Sequence, residues 1–531
     1  MEASSIFNDV IGPVMRGPSS SHCAASLRIG RLCLDLMNGK ITDVLIEYDP
    51  NGSLATTHKS QGSDMGLYGG LLGWEADDPR LENYKSEIAA AGIHPVIEIK
   101  AIGADHPNTY QINLSNGNDK HQLIALSIGG GMIEVIEIDG AKVNMVGGFT
   151  ETLIYTESPG KVLDRLKSES LDDAIVCKGD QTFINIKSRD SLSEGLIKKI
   201  KAIEGVGSIR TLNPVLPVLS RKNIEVPFAN CEEMLAYNEG KNLELWELAV
   251  HYEAARGQIT HDQVYDNMVN IVRIMSNSIE LGLKGTDYAD RILGNQSGNF
   301  KELMEKGKLV KGDALNKIIL FVSAMMEVKS SMGVIVAAPT AGSCGALPGA
   351  ILGVCASLEL DEKEAIKAML AAGMIGVFIS EGATFAAEVG GCQAECGSGS
   401  GMAAAGIVGL MGGTLDQSIA AASMALQNSL GMVCDPVANR VEAPCLGRNV
   451  MAASNALSTA NMALADYDHL VPLDQVIDAM DEVGNKMAHE LRCTGLGGLA
   501  ISKASREIEA RLAAMEGAEP LSSSSKQFKY C

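Results

Sequence analysis

The chain has 531 residues, 46% of them hydrophobic and only 4% aromatic, and a formal net charge of −21. That length exceeds a single hydrophobic core and implies about two to four domains. The acidic balance argues against a nucleic-acid partner, whose phosphates it would repel. Gly and Ala are abundant while aromatics are scarce, so part of the chain is expected to be a closely packed helical bundle. Residues 1–16 carry Glu2 and Asp9 and no long apolar run, so no signal peptide is expected. Apolar stretches after residue 330 are broken by Pro, Ser, Glu or Gly before membrane length. The expectation is a cytoplasmic protein without a membrane partner. In a reducing compartment its twelve cysteines read as core thiols plus a possible metal site, and seven of them lie from Cys344 to Cys493.

Residues 1–147 alternate short apolar runs with Gly and Asn breaks, predicting strands at 44–47, 96–99, 111–114 and 133–138 and helices at 25–37 and 63–72. This is an α+β domain. In the next domain, 148–219, the pattern runs strand 152–156, helix 159–166, a hairpin of 174–177 with 182–186 around Gly179-Asp180, helix 192–203 and strand 208–212. That order, βαββαβ, is ferredoxin-like. A linker is expected at 214–217. From 232 to 511 the pattern is helical, with helices predicted at 243–256, 261–283, 313–332, 361–378, 416–431 and 474–491. Residues 512–531 read as a flexible tail, Ser-rich and polar over 517–529.

Three cysteines sit in turn-like segments: Cys392 in Gly390-Gly391-Cys392-Gln393-Ala394-Glu395-Cys396-Gly397, Cys434 in Val433-Cys434-Asp435-Pro436, and Cys445 in Ala443-Pro444-Cys445-Leu446-Gly447. Loop placement leaves a thiolate free to face a metal, and three such thiolates suit a cuboidal cluster with one iron open for Lewis-acid chemistry. Their spacing is not a compact ladder, so it leaves two readings open: a metal site or buried structural thiols. Gly17-Pro18-Ser19-Ser20-Ser21-His22 could cradle a carboxylate at the start of the next helix, or be a plain Ser cap beside a surface His. Ser127-Ile128-Gly129-Gly130-Gly131 and Pro339-Thr340-Ala341-Gly342-Ser343-Cys344-Gly345 permit close backbone approach to a ligand, although such turns often only turn. His58, His94, His106 and His251 have no spacing that singles them out.

With these motifs together, the chain resembles the iron–sulfur-dependent L-serine dehydratases (L-serine ammonia-lyases). Residues 1–147 resemble the family's β-chain through the 17–22 loop, Gly62-Ser63-Asp64 and the 127–131 loop. Residues 148–219 stand in the place of its ACT-like domain. Residues 232–511 resemble its α-chain through the 339–345 loop, Cys392-Gln393, Cys434-Asp435-Pro436-Val437, Pro444-Cys445 and Arg448-Asn449. The resemblance implies a single-chain fusion that converts L-serine to pyruvate and ammonia in amino-acid catabolism and gluconeogenesis. It implies a [4Fe–4S] cluster on Cys392, Cys434 and Cys445, no pyridoxal phosphate, a small amino-acid substrate and a homodimer. Substrate binding is implied for Ser19, Ser20, Ser21, Gln61, Ser63, Asp64, Gly130, Thr340, Ala341, Gly342 and Ser343. His22 and Ser127 are the implied catalytic pair; a serine is a poor base and would need a neighbour such as His22.

The chain departs from the family at three places. Gln61 stands where a His precedes the Gly-Thr-Asp segment, and glutamine cannot titrate near neutral pH. Cys23 replaces a Thr, and Lys329 an Asn. Lys329 would suit a substrate with an extra carboxylate, so a related lyase acting on cysteine or a larger β-substituted amino acid is the alternative. A non-catalytic iron–sulfur sensor is the reading from a different class. The terminal Cys531 has two readings, a disordered thiol or a fourth ligand that caps the open iron, with Cys396 the other choice for such a ligand.

Overall fold

The computed structural model describes residues 3–220 and 224–516. They form two compact units: Ser21–Ile224, and a second made of the described residues up to Ser20 with those from Glu225 on.

The first unit is α/β. Its six-stranded sheet runs, edge to edge, His94–Ile99, Asp43–Tyr48, Thr109–Ser115, Lys120–Gly129, Met132–Ile138 and Ala141–Met145. Only the pairing of Asp43–Tyr48 with His94–Ile99 is parallel. Helix Ala25–Leu36 packs on it, and helix Ser63–Leu71 packs on that helix. They touch so closely that a Cβ on Gly70 would lie 2.1 Å from the Leu27 carbonyl oxygen. The strands Lys120–Gly129 and Ala141–Met145 were not expected from the sequence. The glycine-rich 127–131 segment is therefore the end of a strand and a hairpin turn.

The βαββαβ order is present. Its antiparallel strands lie in the order Val206–Leu212, Thr150–Thr156, Thr182–Ser188, Asp173–Lys178. Strand periodicity explains its two faces. Ile154, Ile184 and Ile186 pack with Val162, Leu166, Leu196 and Ile200 of the two helices, while Leu153, Tyr155 and Phe183 join the core of the six-stranded sheet. The expected linker at 214–217 is pinned instead: Val215 and Leu216 donate their N–H groups to the Gly147 carbonyl oxygen.

The second unit is helical. Glu362–Gly382 is its central helix; it is long and apolar enough to cross a membrane, but 78% of its most apolar window is buried in the unit. The N-terminal segment belongs here, which differs from the expected 1–147 grouping. Ile6, Phe7 and Val10 are buried, and Val14–Arg16 pairs antiparallel with Val334–Val336. Of the expected flexible tail, 512–516 is the last part of helix Lys503–Glu516, and 517–531 lies outside the described residues.

Glu253 anchors that segment, accepting from Ser5 Oγ at 2.5 Å and Ile6 N at 2.8 Å. Burial pushes its carboxyl up from 4.5 to about 7. The folded protein therefore holds a proton that the unfolded chain has released, and stability declines as pH rises from about 4.5 through 7. This group's contribution is on the order of 3 kcal/mol across that window. Glu253→Gln is expected to flatten the decline in Tm over the same pH range, as read by thermal melts; parallel curves for both proteins would contradict the assignment.

Candidate metal centre and the loops around it

Three separate segments carry the cysteines. Cys392 precedes a turn of π-helix, Gln393–Gly397. The turn before it passes through Gly391 at φ +69°, where a Cβ would lie 2.8 Å from the Met432 carbonyl oxygen, so only glycine fits. Gln393 is fully buried and clamps the segment, donating to Met480 O at 2.7 Å and accepting from Gly431 N at 2.8 Å. Cys434 is held by its backbone: its N–H donates to Leu491 O and its carbonyl oxygen accepts from Cys493 N, both at 2.8 Å. Cys445 opens helix Cys445–Leu464.

All three are buried. The sulfur atoms of Cys392 and Cys434 lie within 4.8 Å of each other and of a Glu395 carboxylate oxygen. Hydrogen bonds from the Cys396 and Cys434 thiols, with the Arg448 guanidinium, hold Cys392 well below the ordinary thiol range. Arg448 reaches Cys392 Sγ at 3.6 Å and pairs with Asp435. Burial raises the Cys445 thiol, and the charge on Cys392 raises it further. Burial, then Cys392, pushes the Glu395 carboxyl up to about 8. A stabilised thiolate, buried sulfur neighbours and a guanidinium to offset their charge form a donor set that suits a soft metal cluster. Cys493, Glu395 and Asn449 complete this neighbourhood and carried no assigned role in the sequence.

Asn449 joins the cysteine segments to the 340–343 loop. It is fully buried, and its Oδ1 accepts from Gly345 N at 3.2 Å and Ala346 N at 2.9 Å. Its Nδ2 donates to the carbonyl oxygens of Gly342 and Cys445, each at 2.9 Å, and to Cys396 Sγ at 3.6 Å. Thr340 Oγ1 donates to Glu395 Oε1 at 2.5 Å, and Ser343 N donates to Thr340 Oγ1 at 3.3 Å. A Cβ on Gly342 would lie 2.7 Å from Glu395 Oε1. Lys329 is buried and donates to the Val441 carbonyl oxygen. No carboxylate of the described residues pairs with it, and its charge lowers the Cys445 and Glu395 acids, acting as a counter-charge.

Ser19 and Ser20 end the N-terminal part of the helical unit, whereas Ser21 and His22 open the α/β unit. Within the α/β unit the structure brings several expected residues together. Ser127 Oγ donates to the Ser21 carbonyl oxygen at 2.7 Å, so its proton is committed to backbone and not to an imidazole. Arg28 donates to Gly131 O at 2.6 Å, beside Gly130 at the hairpin tip. His22 Nε2 meets Thr57 Oγ1 at 2.9 Å, and burial pushes its imidazole down to about 4. Tyr110 OH donates to Ser63 Oγ at 3.1 Å. Asp64 Oδ1 lies 2.6 Å from His58 Nδ1. Gln61 is held by its backbone N–H, which donates to Thr57 O at 2.9 Å. Cys531 lies outside the described residues.

The serine dehydratase alpha chain family matches residues 240–500. A probable L-serine dehydratase alpha chain of Bacillus subtilis is 37% identical over 285 residues, 54% of this chain and 95% of the relative. An L-serine dehydratase of Streptomyces coelicolor is 27% identical over 496 residues, 92% of this chain and 96% of the relative. One from Helicobacter pylori is 29% identical over 501 residues, 91% of this chain and 96% of the relative. The α-chain match spans every cysteine segment and the 340–343 loop, and the two longer relatives run through both units. The chain therefore belongs to the L-serine dehydratase family of lyases.

Proposed function

We propose that the protein is an iron–sulfur-dependent L-serine ammonia-lyase, with a [4Fe–4S] cluster on Cys392, Cys434 and Cys445 and no pyridoxal phosphate. The observation that carries this reading is the buried cysteine set beside Arg448, tied through Asn449 to the 340–343 loop. When bound, the cluster supplies Lewis-acid polarisation of the substrate's oxygen atoms at an open iron. Arg448 and Lys329 offset the thiolate charge. Thr340 and Ser343 offer hydroxyls, and Ala341 and Gly342 offer backbone, to the amino acid. Ser19, Ser20, Ser21, Gln61, Ser63, Asp64 and Gly130 are assigned to holding its carboxylate and amine. Ser127, fixed on Ser21, orients that loop. His22 is neutral near pH 7 and serves as a hydrogen-bonding partner there. Loss of the α-proton and the β-hydroxyl leaves an enamine, which tautomerises and hydrolyses to pyruvate and ammonia.

Residues 1–147 and 232–511 are assigned to β-chain and α-chain functions, and 148–219 to an ACT-type regulatory role. Assembly as a cytoplasmic homodimer accompanies this reading. Cys531 is assigned to capping the open iron until substrate arrives. Its deletion is expected to speed activation by serine while leaving steady-state turnover within about threefold, a change of under 1 kcal/mol. Unchanged activation kinetics in stopped flow would remove that assignment.

Steady pyruvate formation from L-serine by anaerobically reconstituted protein tests the main reading. Lys329, buried without a carboxylate partner among the described residues, favours one second reading, a lyase for a substrate bearing a further acidic or larger β-substituent. Product from such an amino acid and none from serine would select it. No product from serine or from any such amino acid would leave the sensor reading.

A further inference from the structure

Cys493 is packed against two of the assigned ligands and has no part in holding the cluster. It forms one buried group with Cys392 and Cys434; the three are 7%, 2% and 3% exposed. The backbone fixes it there. Cys434 and Arg492 form a single parallel bridge, in which Cys434 N donates to Leu491 O and Cys493 N donates to Cys434 O, both at 2.8 Å. Segments bonded in this way run about 5 Å apart, within the reach of a disulfide, whose Cα atoms lie about 4.4–6.8 Å apart. The Cys493 thiol hydrogen-bonds to the Cys434 sulfur. On its other side, Cys434 has its sulfur within 4.8 Å of the Cys392 sulfur. The three sulfurs therefore form a row with Cys434 in the middle, and none of them is in a disulfide.

The two ends of the row differ. Arg448 Nη1 reaches Cys392 Sγ at 3.6 Å, so that end faces a fixed positive charge. A sulfur beside a cation is the better nucleophile toward an oxidant and the better leaving group in thiol–disulfide exchange. Cys493, at the other end, stands at φ +58°, a left-handed conformation that favours glycine. A side chain is held there at a conformational cost, and that side chain is a thiol in contact with Cys434.

We propose that Cys392, Cys434 and Cys493 form an oxidation relay which, in the chain before its cluster is loaded, ends in a Cys434–Cys493 disulfide. The oxidant is a small hydroperoxide. The Cys392 thiolate attacks one peroxide oxygen, the O–O bond breaks, and hydroxide leaves a sulfenic acid on Cys392. Cys434 attacks that sulfur, the S–O bond breaks, and water departs with the thiol proton. Cys493 then attacks the Cys434 sulfur, passing its proton to the hydroxide, and Cys392 leaves as thiolate beside Arg448. The peroxide has become two waters, two thiols have lost two hydrogens, and Cys392 is returned. Cys434 is thereby withheld from iron and protected from irreversible oxidation until a dithiol reopens it. That consequence rests on the cluster reading, in which Cys434 is a ligand.

The test uses the full chain, freed of iron, reduced and treated anaerobically with hydrogen peroxide. The sample is quenched in acid, alkylated and digested without reduction. Mass spectrometry should find the Cys434 and Cys493 peptides linked, and dithiothreitol should separate them. Cys493→Ala should stop one exchange earlier, with Cys392 linked to Cys434. Reconstitution of the oxidised wild type should take up iron at least about tenfold more slowly than the reduced protein, and dithiothreitol should restore the rate. A wild-type link between Cys392 and Cys434, a link to Cys396 or Cys445, or no link at all overturns the proposal. Oxidised protein that loads iron as fast as reduced protein overturns the withholding of Cys434. Should Cys493→Ala not fold, the wild-type peptide map decides alone. Reduced wild type that takes up no iron would instead overturn the cluster reading, and the linked peptides would still decide the relay.

Discussion

Cys434→Ala is expected to abolish both the brown chromophore and serine dehydration, with turnover falling at least about 10³-fold, the equivalent of some 4 kcal/mol of transition-state stabilisation. The fold should survive. Cys434 is held through its backbone, to Leu491 O and from Cys493 N, and alanine keeps both bonds. What alanine removes is a buried sulfur facing Cys392. Loss of one small buried group costs about 1 kcal/mol of stability, so circular dichroism and Tm should stay close to those of cluster-free wild type. Cys493→Ala is the matched control. It removes a sulfur from the same cluster of buried side chains but not one of the three assigned ligands, and should retain colour and turnover. Colour retained in Cys434→Ala, or lost equally in both variants, would contradict the ligand assignment.

The second large effect is expected at Asn449, and it is structural before it is chemical. Alanine there strands two backbone N–H groups, at Gly345 and Ala346, and two carbonyl oxygens, at Gly342 and Cys445. Asn449 is fully buried, so water cannot easily replace it. At about 1–3 kcal/mol for each unmet group, and with partial relaxation, the loss should be about 3–5 kcal/mol. Because the same amide links the 340–343 loop to the Cys445 turn, cluster retention and KM for serine should worsen together. Asn449→Asp restores only the acceptor half and should lie between wild type and alanine. Denaturant melts check the first outcome and reconstitution yields the second; a loss below 1 kcal/mol would show that the amide is not the bridge described.

The sequence revealed parts of this molecule according to how local the determining forces are. The βαββαβ order was readable because each strand has one face on its own helices and carries period-two alternation, as at Leu153, Ile154 and Tyr155. Helices Ala346–Leu358 and Ser398–Leu410 were not, because nearly every residue is buried and no polar stripe marks their period. The placement of residues up to Ser20 in the helical unit depends on pairing with Val334–Val336, far away in sequence. Cysteines 392, 434 and 445 could be nominated by their turns, but the meeting of Cys392 with Cys434 depends on the Met432 and Leu491 backbones. Asn449 follows Cys445 by one helical turn, a spacing that could have flagged it. His58 had no such signal, since its pairing with Asp64 arises from the closure of the intervening loop.

The most direct test of the central claim is to follow the cluster and the reaction in one anaerobic sample. Iron, acid-labile sulfide and the Mössbauer spectrum of reconstituted protein should give about four irons and four sulfides per chain. Addition of L-serine should perturb the signal of a single iron, while pyruvate forms at a rate proportional to intact cluster. A colourless, iron-free protein that makes pyruvate from serine at the full rate would contradict the account.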